Sequence, residues 1–201
     1  MNRTWFCFGV LLVALAMVVA CGKPPQEDMD SAKAAPEEAR TAQADKWASA
    51  EFQAAEGSMN DAQAEMDAQS QKWMKNYDKT KQLLAKAKQD AESSKSAAAT
   101  NKESAKQAAT AGIADATSAL EAAKTALKGA PVGKDTKADL ALFSQDLDGL
   151  ATTLTEAQTA MGSEDYNGAR DKASSVKEKA DSIKQQIDEA AAKRAGAKKK
   201  K

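Results

Sequence analysis

The stretch LALFSQDLDGLATTLTEAQTAM, residues 140–161, places Leu140, Phe143, Leu147, Leu150, Leu154, Ala157 and Met161 in unbroken steps of three and four. That spacing predicts one apolar stripe along an α-helix. Just downstream, Tyr166, Ala169, Ala173, Val176, Ala180, Ile183 and Ile187 repeat it. Between them, Gly162-Ser163-Glu164-Asp165 is a helix stop and restart, so the two stripes predict an antiparallel αα-hairpin. Large side chains on one seam face mostly small ones on the other, which allows close approach and interdigitation. The expected core is Leu147, Leu150, Leu154, Val176 and Ile183, joined by Ile113, Leu120 and Leu127 from the helix before.

Working outward, Gly129-Ala130-Pro131-Val132-Gly133 separates that preceding helix from the hairpin, because glycine ends a helix and proline blocks its continuation. Further upstream, Ala48, Phe52, Ala55, Met59, Ala62, Met66 and Trp73 form another seam, continued by Tyr77, Thr80, Leu84, Ala87 and Ala91. Its seven-residue repeat favours coiled-coil packing. Over residues 44–128 the periodicity alone leaves one long helix and a hairpin both open. An internal echo favours the hairpin: Tyr77-x2-Thr80-x3-Leu84-x2-Ala87-x3-Ala91 matches Tyr166-x2-Ala169-x3-Ala173-x2-Val176-x3-Ala180. Ile113, Leu120 and Leu127 fall out of phase with Trp73, Thr80 and Ala87. A bend, a hinge or a change of packing partner is therefore expected near residues 93–104.

Composition agrees with an all-α reading. Aromatics make up 4% of the chain, proline is absent between Pro36 and Pro131, and Ala, Lys, Gln and Glu dominate. The expected architecture is a set of elongated antiparallel helical hairpins forming a coiled-coil-like bundle. Residues 44–100 are expected to make an Ala-rich hairpin, residues 101–193 a three-helix antiparallel bundle, and residues 194–201 a basic tail.

The N-terminus carries a different signal. Met1-Asn2-Arg3 precedes an almost wholly apolar run from Trp5 to Ala20, which ends in Val18-Val19-Ala20-Cys21. The run is long for a secretory signal and marginal for a membrane span. Ala20 before a cysteine suits a lipoprotein signal peptidase, and the stretch resembles a lipobox. Residues 1–20 are expected to leave as a signal peptide, cut between Ala20 and Cys21, with Cys21 carrying a diacylglycerol and an acyl chain such as palmitate. A plain N-terminal membrane anchor is the alternative. Residues 21–43, rich in proline and charge, read as a flexible tether. Gly22 stands where an aspartate would signal inner-membrane retention, which favours the outer membrane with the body in the periplasm.

Cys7 would leave with the signal and Cys21 would be acylated, so neither supplies a disulfide, a nucleophile or a metal ligand. Histidine is absent, which removes the commonest general base and transition-metal ligand. Lys+Arg and Asp+Glu balance at 29 each, so no charge bias favours nucleic acid. Asp146 and Asp148 point about 200° apart on a helix and cannot act together. Glu27, Asp28 and Asp30 read as a solvated linker, since they lack the glycine turn and downstream glutamate of a calcium loop. No catalytic, cofactor or metal site is expected. Trp73 and Tyr77, one turn apart, are expected to plug a hairpin end or fill the seam, with ligand stacking as the sharper reading. Trp47, one residue off the seam, is expected to be partly exposed. Lys198, Lys199, Lys200 and Lys201 close the chain as a solvated tail or as a contact for an anionic wall polymer.

Trp47-x4-Phe52-x2-Ala55, together with Tyr77-Asp78-Lys79-Thr80-Lys81-Gln82-Leu83-Leu84-Ala85-Lys86-Ala87, resembles a group of bacterial lipoproteins with an uncharacterised Ala-rich helical-hairpin domain. That group's second helix usually opens with Gly-Asp-Tyr and an alanine three residues on; Asp165-Tyr166-x2-Ala169 fits this better than Asn76, Tyr77 and Thr80. A looser likeness, to the major murein lipoprotein, rests on a lipidated N-terminus, a heptad-rich body and the C-terminal Lys201, which in that protein type is joined to peptidoglycan. Both resemblances imply a helical envelope protein without assigned catalysis. The expected role is a lipid-anchored scaffold or spacer; a holdase-type chaperone or an accessory subunit of an envelope complex is the second reading. Expected partners are the membrane, an envelope protein or peptidoglycan, and a further copy of the chain.

Overall fold

The computed structural model describes residues 23–133 and 136–198, with side chains through residue 193. The expected signal peptide, its cleavage point at Ala20 and Cys21, and the side chains of Lys198 to Lys201 lie outside the described residues. Among those residues the chain is all-α: α1 (Gln26–Thr41), α2 (Ala44–Trp47), α3 (Ser49–Ser70), α4 (Asp78–Gly129), α5 (Lys137–Gly162) and α6 (Tyr166–Lys198). They form two compact units divided between Asn101 and Lys102, and α4 contributes to both. The expected division between hairpin and bundle lies between residues 100 and 101.

In the first unit α3 and α4 make the hairpin, broken at residues 71–77. The expected tether is corrected: most of it is helix. Met29, Ala32, Pro36 and Ala39 of α1 are buried, in steps of three and four. Met29 and Ala32 join Ala62 and Met66 of α3 and Leu84 of α4 in one apolar cluster, with Tyr77. Asp28 faces Lys88 at 4.0 Å and Glu38 faces Lys95 at 3.5 Å, so α1 runs parallel to α4. Arg40 reaches Glu56 at 2.7 Å, so α1 runs antiparallel to α3. The prolines and a seam of mostly small residues hid this third helix. Pro36 removes one backbone donor, yet its ring is buried in the seam.

The second unit holds the remainder of α4 with α5 and α6. Its core joins Ala116, Leu120 and Ala123 to Leu147, Leu150, Leu154 and Ala157, and these to Val176, Ile183 and Ile187. Ile113 and Leu127 are only half-buried at its margin. Gly112 shows how tightly the small residues pack, since a Cβ added there would sit 3.7 Å from the Ala173 Cβ.

The internal echo describes two equivalent seams. Tyr77, Thr80, Leu84, Ala87 and Ala91 are all buried, and so are Tyr166, Ala169, Ala173, Val176 and Ala180. The match continues through Ser94 and Ala98 against Ile183 and Ile187, also buried.

Residues 93–104 are helical within α4, and of the expected alternatives the change of packing partner is the one observed, from α1 and α3 to α5 and α6. The apparent phase shift came from extrapolating strict heptads, which drift by about 20° per repeat on a straight helix. Buried positions step from Ala98 to Ala109, close to three full turns, so the seam keeps a helical period.

These cores set clear costs. Leu147→Ala is expected to destabilise the second unit by about 2–5 kcal/mol, since it empties a closed site. Ala173→Leu is expected to cost about 1–3 kcal/mol by forcing α4 and α6 apart. Urea titrations followed by circular dichroism measure both.

Candidate functional site

The turn of the first hairpin is built on a fixed stem. Gln69, buried at the end of α3, donates its amide to Glu65 at 2.7 Å, and its carbonyl oxygen accepts from the Asn76 backbone N–H at 3.4 Å. Lys79 of α4 pairs with the same Glu65 at 2.7 Å. These two donors, Gln69 first, hold the Glu65 carboxyl below its ordinary value. The Asn76 side chain accepts from the Asp78 backbone N–H at 2.8 Å, satisfying an orphan donor where α4 begins.

Above this stem the structure separates the two aromatic residues that the spacing had paired. Tyr77 is buried, whereas Trp73 is 94% exposed and Met74 82% exposed. The expectation that Trp73 fills the seam or plugs the hairpin end is therefore overturned, and the two rings present no shared stacking face. The cause is the break itself: residues 71–77 are not helical, so one-turn spacing no longer holds. Trp47 departs in the other direction and is 8% exposed. It ends the short α2, its ring nitrogen donates to Gln43 at 3.3 Å, the Lys46 ammonium lies over its ring at 4.8 Å, and its carbonyl accepts from Asn101 at 2.8 Å. A left-handed Gln43 and a non-helical Ala48 turn the chain there, and neither residue type signals such a turn.

A polar group that sequence reasoning missed sits between α3 and α4. Lys86 donates to Ser58 at 2.8 Å and to Asp90, and the Ser58 hydroxyl donates to the same carboxylate. Lys86 and then Ser58 hold the Asp90 carboxyl below its ordinary value of 3.8. Lys86 donates in both of its bonds, so the trio fastens α3 to α4. Ser58 is buried where the spacing places Met59, which is only half-buried, so the sequence seam gave no signal for it.

The remaining candidates are dispersed. Asp146 and Asp148 are both exposed on α5. Asp28 and Asp30 lie in α1, engaged with Lys88 and Gln26, and no group of three metal-ligating side chains occurs among the described residues. No described helix is long and apolar enough to cross a membrane. In the second unit, Pro131, Leu140, Leu142, Phe143 and Ile187 line an open groove of about 420 Å³ at one end of the bundle. No family model, curated protein or solved structure matches the chain.

Two tests follow from the polar groups of this seam. Asp90 has a lowered folded value, so the unfolded chain binds its proton more readily. Its contribution is present above the unfolded value and is lost as pH falls through the folded one. The stability gap between the wild type and Asp90→Asn should narrow as pH falls below about 5 and on through the lowered folded value, as urea titrations measure. Separately, the Tyr77 hydroxyl and Thr80 Oγ1 are buried with no hydrogen-bond partner among the described residues. Because an unmet buried hydroxyl costs about 1–3 kcal/mol, Tyr77→Phe and Thr80→Val should each keep or raise the melting temperature.

Proposed function

We propose that this chain is a lipid-anchored cell-envelope protein that serves as a scaffold or spacer through its helical surfaces. The observation that carries the reading is Val18-Val19-Ala20-Cys21 at the end of an apolar run behind Arg3. A thiol preceded by a compact residue is suited to diacylation and then to cleavage, which would leave Cys21 as the first residue of the mature chain. Acyl chains on Cys21 would hold that end at the bilayer, with the outer membrane favoured and the body in the periplasm. The partner is an envelope protein, peptidoglycan or a further copy of the chain. A covalent link from Lys201 to peptidoglycan is the most specific form of the proposal. The two helical units support the reading because they offer long exposed polar faces over closed apolar seams.

A second reading, a binding module or holdase-type chaperone, draws on the groove beside Phe143 and Leu142. Leu142 is exposed, and the groove offers an apolar surface for an unfolded segment.

Cells fed labelled palmitate should incorporate it into the wild type, and Cys21→Ala should lose the label and remain an uncut precursor. Retention of the label would overturn lipidation at Cys21. In-cell crosslinking followed by mass spectrometry separates the two roles. One dominant envelope partner or a Lys201 muropeptide supports the scaffold, while a diffuse set of unfolded clients supports the chaperone.

A further inference from the structure

The turn between α3 and α4 reads Lys72-Trp73-Met74-Lys75, and its two apolar side chains are almost fully in solvent. The corresponding turn between α5 and α6 spans only residues 163–165, against 71–77 here, and carries no apolar residue. Asn76 closes the stem and Tyr77 enters the core, so the added Trp73 and Met74 are what the core leaves in solvent. That stem is tied by Gln69, Glu65 and Lys79, so the tip protrudes from a fixed base.

Charge and position point to one occupant. Within residues 71–77 the only charged side chains are the two lysines that flank the apolar pair. Over residues 65–81, Lys72, Lys75, Lys79 and Lys81 face Glu65, Asp67 and Asp78, and Glu65 is already paired with Lys79. A convex tip with a tryptophan, a flexible methionine and flanking ammonium groups fits the interfacial layer of an anionic bilayer.

The chain's own course brings that bilayer to the same end of the unit. The first turn of α1 lies against α4, with Asp28 at 4.0 Å from Lys88, and α1 runs parallel to α4. From Lys88 back to Tyr77 is about 16 Å of helix. The N-terminal end of α1, from which the chain leads back towards Cys21, therefore lies at the same end of the unit as the turn.

We propose that Lys72-Trp73-Met74-Lys75 is a second membrane contact, which docks into the headgroup layer of the anionic leaflet holding the acyl chains of Cys21. The same-leaflet part rests on Cys21 being lipidated. The acyl chains supply attachment, while the turn fixes how the first unit stands on the surface. Trp73 lies at the interface, Met74 enters the acyl boundary, and Lys72 and Lys75 meet lipid phosphates.

The test uses the chain from residue 22 onward, which is never acylated and keeps every described helix, so the turn is judged apart from lipidation. With Trp47→Phe, Trp73 is its only tryptophan. On phosphatidylglycerol-containing vesicles its emission should shift to the blue, and binding should weaken as salt is added. Trp73→Ala should lower vesicle affinity about tenfold or more. Lys72→Gln and Lys75→Gln should each lower it about fivefold. Unchanged emission, or equal binding by Trp73→Ala, overturns the contact. A photocrosslinker at position 73 that captures one protein in cells, rather than lipid, overturns it in favour of a protein partner. Failure of palmitate labelling at Cys21 overturns the same-leaflet part alone.

Discussion

Close approach of helices through small side chains is the constraint on which this protein depends. Ala87, Ala91 and Ala98 of α4 and Ala169, Ala173 and Ala180 of α6 are buried with almost no exposure. Each contributes little apolar area, so a seam of alanines yields less hydrophobic stabilisation than a leucine core of the same length. Two properties offset the deficit. Alanine loses no side-chain entropy on burial and is the strongest helix former. It also lets backbones come close enough for the opposing leucines of α5 to interdigitate. Long, uninterrupted seams are what such a core requires, which accounts for helices as long as α4 and α6.

The two units solve this constraint in the same register and close their turns differently. In the second, Glu164 takes the left-handed position that ends α5, and Asp165 accepts from the Gly168 backbone N–H at 3.2 Å to begin α6. A carboxylate cap on the third backbone donor makes a compact reversal possible. The first unit has no such cap. It uses the amide of Gln69 and the side chain of Asn76 to span a longer turn, and the added length leaves room for exposed residues. A further difference lies in the seams themselves. Thr80 and Ser94 occupy positions where the second unit has Ala169 and Ile183, so the first seam carries polar atoms that the second avoids.

Periodicity made most of the fold legible. Leu147, Leu150, Leu154, Val176 and Ile183 were readable as core because large apolar residues at helical spacing have few other uses, and the matched tyrosines marked both hairpins. Three features were hidden for separate physical reasons. The helix α1 was masked by Pro36 and by a seam built mainly of Ala32 and Ala39, whose contrast with a polar linker is weak. Ile113 misled because it is the largest residue in its turn yet sits at the margin, while Ala109 and Ala116 hold the centre. Trp73 misled because helical spacing was continued through a segment where no glycine or proline announces the break. Of the candidate site, the sequence held the residue types of the turn. It did not hold their exposure, which depends on where α3 ends.

That failure indicates where specificity can reside in such an architecture. A seam position accepts one size of side chain and excludes most chemistry, as the buried Ser58 illustrates: its hydroxyl is consumed in joining Lys86 and Asp90 of the neighbouring helix. The outward faces carry ion pairs such as Lys172 with Glu156 and Lys184 with Asp188, which are exposed and worth little energetically. Neither surface readily distinguishes one partner from another. Turns and bundle ends are free of both constraints, because their residues are released from the seam and their length can change without altering its register. The Lys72–Lys75 turn differs from its counterpart by such a change, made on an otherwise shared helical plan. A residue that breaks the helical pattern at a turn therefore says more about recognition here than any residue that obeys it.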